Sequence, residues 1–125
     1  MEKYFVTYNQ ALALKELGYN KKCLAWYNWT GKELLFTNNQ YADIDPTNAP
    51  LKQQVFEWFR DKYKIEAVVA CYYSKILDIS YEERQYHCHI VRDGVTTKGP
   101  KFKTYEEAES ACIDKLIEIV KSKKQ

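Results

Sequence analysis

Apolar residues recur at helical spacing in three stretches of this chain. In the first, Leu14 and Leu17 share a face with Ala13 beside them, while Leu12 falls on the far side. In the second, Leu51, Val55, Phe59 and Tyr63 follow one another at four-residue spacing, with Phe56 and Trp58 widening the row into a broad arc. In the third, Ala108, Cys112, Leu116 and Ile119 form a stripe that Ile113 and Val120 broaden. The pattern predicts helices from Tyr8 to Leu17, from Pro50 to Tyr63, and from Thr104 to Lys121.

The ends of these helices are marked chemically. The string Phe-x-Thr-Tyr-x-x-Ala occurs twice, as Phe5-Val6-Thr7-Tyr8-Asn9-Gln10-Ala11 and as Phe102-Lys103-Thr104-Tyr105-Glu106-Glu107-Ala108. In each copy a Thr hydroxyl can accept a backbone N–H, and the Gln or Glu three residues on can reach back to it, as in a capping box. Gly18 supplies a left-handed end to the first helix. Pro50 suits a first helical turn, which puts the cap of the second helix at Asn48 or Ala49.

Between the helices the pattern changes to strand-like. Cys23-Leu24-Ala25-Trp26-Tyr27-Asn28-Trp29, a turn at Thr30-Gly31-Lys32, and Leu34-Leu35-Phe36 read as a hairpin. Thr37 to Ala49 is polar and reads as a surface loop. Ala67-Val68-Val69-Ala70-Cys71-Tyr72-Tyr73 is a continuous apolar run, read as a central strand. Tyr86, Cys88 and Ile90 alternate with Gln85, His87 and His89, giving a strand with one buried face that ends near Asp93-Gly94. Between Lys75 and Glu83 two readings stay open: Ile76, Leu77 and Ile79 extend the strand, or Ser80-Tyr81-Glu82-Glu83 caps a short turn. The fold expected is α+β: an antiparallel sheet of about four strands, in two hairpins, covered by three helices. A chain of 125 residues suits a single domain over 1–125.

Charge narrows the partners. With 19 basic and 17 acidic residues the net charge is +2, too little for a global field that draws in polyanions or anionic membrane. No stretch approaches the apolar length of a membrane span, and the first residues carry no leader-like apolar run, so a cytoplasmic protein without a membrane partner is expected. Cys23, Cys71, Cys88 and Cys112 form no Cys-x-x-Cys pair and are expected as buried thiols in a reducing compartment.

His87-Cys88-His89 offers zinc-type ligands, but successive strand side chains point to opposite faces, so Cys88 cannot share an ion with both imidazoles. His87 and His89 remain as a two-ligand candidate, with no third partner evident. No nucleophile stands beside a base, the carboxylate pairs Glu82-Glu83 and Glu106-Glu107 are adjacent, and Gly18, Gly31, Gly94 and Gly99 build no phosphate cradle. A non-enzymatic protein without a cofactor is expected. Arg92, Lys98, Lys101 and Lys103 make a local basic segment with Asp93 as its one acid. From Gln85 to Lys121, strands and a capped helix resemble in outline the DNA-binding domains of phage integrases, which implies nucleic-acid binding through that segment, with exposed tyrosines stacking on unpaired bases.

Taken together, Thr7-Tyr8-Asn9-Gln10-Ala11-Leu12-Ala13-Leu14-Lys15-Glu16-Leu17-Gly18, Phe56-Glu57-Trp58-Phe59-Arg60-Asp61-Lys62-Tyr63 and Thr104-Tyr105-Glu106-Glu107-Ala108-Glu109 with Lys115-Leu116-Ile117-Glu118-Ile119-Val120 resemble short, uncharacterised proteins encoded by bacteriophages and prophages. The resemblance implies a bacterial cytoplasm and an accessory role in infection, with no activity or site to transfer. Aromatic residues make up 15% of the chain, more rings than a core of this size need take, and exposed Tyr and Trp anchor interfaces. The expectation is therefore a small adaptor acting through a protein surface, with Trp26 and Trp29 as anchors. Self-association through a strand edge is a further possibility, and nucleic-acid binding is the alternative.

Overall fold

A computed structural model describes residues 2–28, 33–36 and 47–123. The chain folds as α+β, with three α-helices and two three-stranded antiparallel sheets among the described residues, in two compact units, 1–55 and 56–125.

In the first unit, α1 (Tyr8–Glu16) starts as its capping chemistry predicts. Thr7 is extended; its hydroxyl accepts the Gln10 N–H at 3.2 Å, and the Gln10 side-chain oxygen accepts the Thr7 N–H at 2.9 Å. Gly18, at φ 96°, turns the chain out of the helix, where Tyr19 donates back to the Leu14 carbonyl at 2.9 Å. The expected hairpin forms as β1 (Ala25–Tyr27) and β2 (Leu34–Leu35), with Trp26 opposite Leu35. The turn expected at 30–32 lies outside the described residues.

A third strand, β3 (Thr47–Ala49), pairs with β1 on its other side, giving the order β2-β1-β3. This corrects the reading of 37–49 as loop throughout; residues 37–46 lie outside the described residues. The strand hides in polar sequence because Thr47 and Ala49 are buried while Asn48 points out, a period-two alternation too short to register. Ala25 and Ala49 pack with Phe5, and Tyr27, Leu34 and Leu51 close around them. The Tyr27 hydroxyl donates to the Val6 carbonyl at 2.6 Å.

With 48 and 49 held in β3, the start of α2 (Lys52–Tyr63) moves past Pro50, which corrects the cap expected at Asn48 or Ala49. The Leu51 carbonyl accepts N–H groups from Gln54 and Val55, and the Gln54 side chain accepts the Leu51 N–H at 2.9 Å.

In the second unit, Phe56, Trp58 and Phe59 of α2 are buried, and α2 ends on Lys64 in a left-handed conformation, φ 58°, with Ile65 donating to the Phe59 carbonyl. The sheet follows as β4 (Glu66–Tyr72), β5 (Gln85–Arg92) and β6 (Val95–Phe102), in that spatial order. The apolar run at 67–73 thus falls in an edge strand, β4, rather than a central one, with Val68 57% exposed. The single sheet of about four strands is likewise corrected: β3 and β6 each complete a three-stranded sheet. Between β4 and β5 the open question resolves to a turn bridged by Ser74 and Ile79, then a 3-10 turn, Tyr81–Glu83, capped by Ser80 and Glu83. Asp93 and Gly94, at φ 52° and 78°, make the tight connection from β5 to β6.

The last helix, α3 (Tyr105–Lys123), begins at the second motif copy, where the Thr104 hydroxyl accepts the Glu107 N–H at 3.2 Å. Ala108, Cys112, Ile113, Leu116, Ile117 and Val120 bury its inner side. Cys88 of β5 and Cys112 of α3 form a disulfide. This corrects the expectation of four buried thiols, since Cys71 is exposed and Cys23 half-buried.

Candidate functional site

The disulfide fixes which face of the β4–β6 sheet meets α3: the face of Cys88. Residues directly opposite in neighbouring strands share a face, so the register assigns the rest. Ala67, Ile90 and Thr97 line up on the α3 side, as do Cys71, Tyr86 and Phe102. On the other face, one row runs Val68, His89, Lys98 and the next Ala70, His87, Lys101.

Lys98 and Lys101 reach that common face through a bulge. One residue stands between His87 and His89, but two stand between their partners Lys98 and Lys101 on β6, so the extra residue falls at Gly99–Pro100. On a regular strand residues three apart point to opposite faces; here both ammonium groups stand beside the histidines. The Lys101 Nζ lies 3.6 Å from the centre of the Tyr72 ring. Arg92 pairs with Val95 on the α3 side, and Lys103 follows the end of β6. The four basic residues therefore do not form one patch.

His87 is buried, and its Nε2 faces the Nε2 of His89 at 2.5 Å, close enough for one ring to donate to the other. The Nδ1 of His87 is buried with no hydrogen-bond partner among the described residues, so the neutral ring is favoured. Burial, then the charges of His89, Lys98 and Lys101, hold His87 below the ordinary imidazole value of 6.5. Among the described residues no third His, Cys, Asp or Glu joins the pair to make a metal-binding group, and the lysines place positive charge where a cation would sit.

A titration follows from this. The unfolded chain takes up its proton on His87 near the ordinary value, while the folded state resists it, so the folded state binds fewer protons and loses stability as pH falls below that value. Melting temperatures of the wild type between pH 7.5 and 5.5 should fall more steeply than those of His87→Gln. Parallel slopes would contradict the assignment.

On the opposite face, a groove of about 430 Å³ runs between β6 and α3. Ile90, Phe102, Ala111 and the Cys88–Cys112 bridge line it, with Lys98, Asp114, Lys115 and Glu118 around it. It exists because α3 lies over a strand whose α3-side residues there, Thr97 and Gly99, are small. A second hollow of about 220 Å³, lined by Val95 and Ile119 among others, shares Ile90 and Thr97 with the first and continues along β6. Beside both runs the outer edge of β6, which ends the sheet order and pairs with no strand among the described residues; 95–98, Pro100 and Lys101 are all exposed.

Other candidates are placed as follows. Trp26 is half-buried on β1, between β2 and β3, and Trp29 lies outside the described residues. Burial pushes the Cys23 thiol up to about 11, far from a reactive thiolate. Tyr73, Ile76, Leu77 and Tyr81 make an exposed apolar cluster in the β4–β5 connection. No helix among the described residues is long and apolar enough to cross a membrane. Of the groove residues, Val95, Thr97 and Gly99 carry a sequence signal, because the Asp93-Gly94 turn followed by Val95-Thr96-Thr97 is a hairpin pattern that marks β6; Ala111 carries none. Comparison of the chain with models of protein families, with curated proteins and with solved structures found no match.

Proposed function

We propose that this protein is a small non-enzymatic adaptor that takes an extended segment of a partner protein as an added strand along β6. The observation that carries this reading is the coincidence of an open sheet edge with a groove of about 430 Å³ beside it. Strand addition draws affinity from main-chain hydrogen bonds at an edge and specificity from pockets for alternate side chains; β6 offers the first and the groove against α3 the second. The interface moves from Trp26 and Trp29 to the second unit. An accessory role for a phage-encoded protein, implied by the sequence resemblance, suits a module of this size.

Nucleic acid is favoured less. Of the basic residues, Lys98 and Lys101 share the open face, Arg92 pairs on the other, and exposed Glu66 stands in the Val91 row of the same open face. Affinity for a phosphate backbone scales with the number of phosphates neutralised, and two lysines are few.

Ala111→Trp separates the classes. Ala111 is half-buried at the groove, so an indole there fills the groove from the α3 side. Strand-forming peptides selected on the wild type should lose roughly tenfold or more in affinity on this variant, with melting temperature unchanged. Peptide binding that survives the substitution would overturn the reading. Salt-sensitive oligonucleotide binding that survives it, and is lost in Lys98→Ala/Lys101→Ala, would establish the nucleic-acid alternative instead.

A further inference from the structure

Resting on that reading, we infer that the segment β6 accepts alternates apolar with acidic side chains: apolar toward α3, acidic toward Lys98 and Lys101. The register of the sheet dictates this. A strand laid along β6 places each residue opposite one β6 residue and on the same face as it. A residue opposite Thr97 drops toward Ile90, Phe102 and Ala111, an apolar floor. The residue opposite Lys98 lies on the far face, beside an exposed ammonium and within side-chain reach of Lys101, which the bulge has brought to the same side.

The same features decide against a second copy of this chain as the occupant. Antiparallel pairing of 95–99 with its own copy puts Lys98 of both chains on one face as diagonal neighbours, and charged edge residues of this kind work against self-association. Pro100 has no N–H to donate and the bulge displaces the backbone around it, so pairing is confined to 95–99. Lysines, bulge and proline together disfavour an identical edge while leaving that stretch open to a strand of opposite charge.

The test uses three immobilised libraries of peptides about ten residues long, a full strand with margin. Alternate positions are drawn from Val, Ile, Leu, Phe and Tyr, and the others are fixed as Glu, Ser or Lys. The intact protein should bind the best Glu peptides roughly fivefold more tightly than their Ser counterparts, and Lys peptides least. The double variant Lys98→Glu/Lys101→Glu, whose sites are exposed and whose folding is checked by its melting curve, should reverse the order. Equal binding of Glu and Ser peptides, or an order unchanged on the double variant, would overturn the charge pattern while leaving strand addition standing. Binding to none of the three libraries would overturn both.

Discussion

Phe59→Ala is expected to destabilise the protein by about 3–5 kcal/mol, the range for deleting a buried aromatic ring. Phe59 is fully buried, its ring lies 5.1 Å from that of Trp58 and 5.7 Å from that of Tyr63, and its carbonyl accepts the Ile65 N–H that closes α2. Truncation removes the ring at the centre of this aromatic group and leaves a void beside the helix end that leads into β4. Since single domains are stable by only about 5–15 kcal/mol, much of the margin goes with one side chain. Urea denaturation followed by tryptophan fluorescence would measure it. A loss under about 1 kcal/mol would mean that this ring is not part of a packed interior.

Removal of the Cys88–Cys112 bridge is the second large effect. The cysteines are 24 residues apart in sequence, spanning β6 and the start of α3. Closing a loop of that length restricts the unfolded chain by about 3.5 kcal/mol on the chain-entropy account. The double variant Cys88→Ser/Cys112→Ser should therefore melt roughly 10 °C lower than the wild type, and a reducing agent should lower the wild type toward the variant without moving the variant. The bridge also lines the groove, so weakened peptide binding should accompany the loss. Equal melting of oxidised and reduced wild type would contradict a stabilising bridge.

How much of this was legible in the sequence depends on whether the signal was local. Capping boxes are local, and Thr7 with Gln10 folded as read. Most of the α3 stripe was equally plain, because an apolar row at helical spacing has few other solutions. Ile119, expected in the core, is half-buried, and Ile117, not expected there, is buried. β3 was not, since two buried positions in a polar stretch carry no period. β6 lay in the sequence but was obscured, its Val95-Thr96-Thr97 run overlooked beside four basic residues. The candidate site was further from reach. That Lys98 and Lys101 share a face depends on one extra residue at Gly99–Pro100, which only pairing with β5 reveals. The Cys88–Cys112 bond depends on α3 crossing the sheet, a relation no spacing encodes.

Docking along the β6 edge is tested most directly by amide hydrogen exchange. With a selected peptide at saturation, the amides of 95–99 that point away from β5 should exchange at least roughly tenfold more slowly than in the free protein. Protection should extend to the α3 residues around Ala111 and leave the first unit unchanged. Unaltered exchange along β6, with protection appearing elsewhere in the chain, would contradict it.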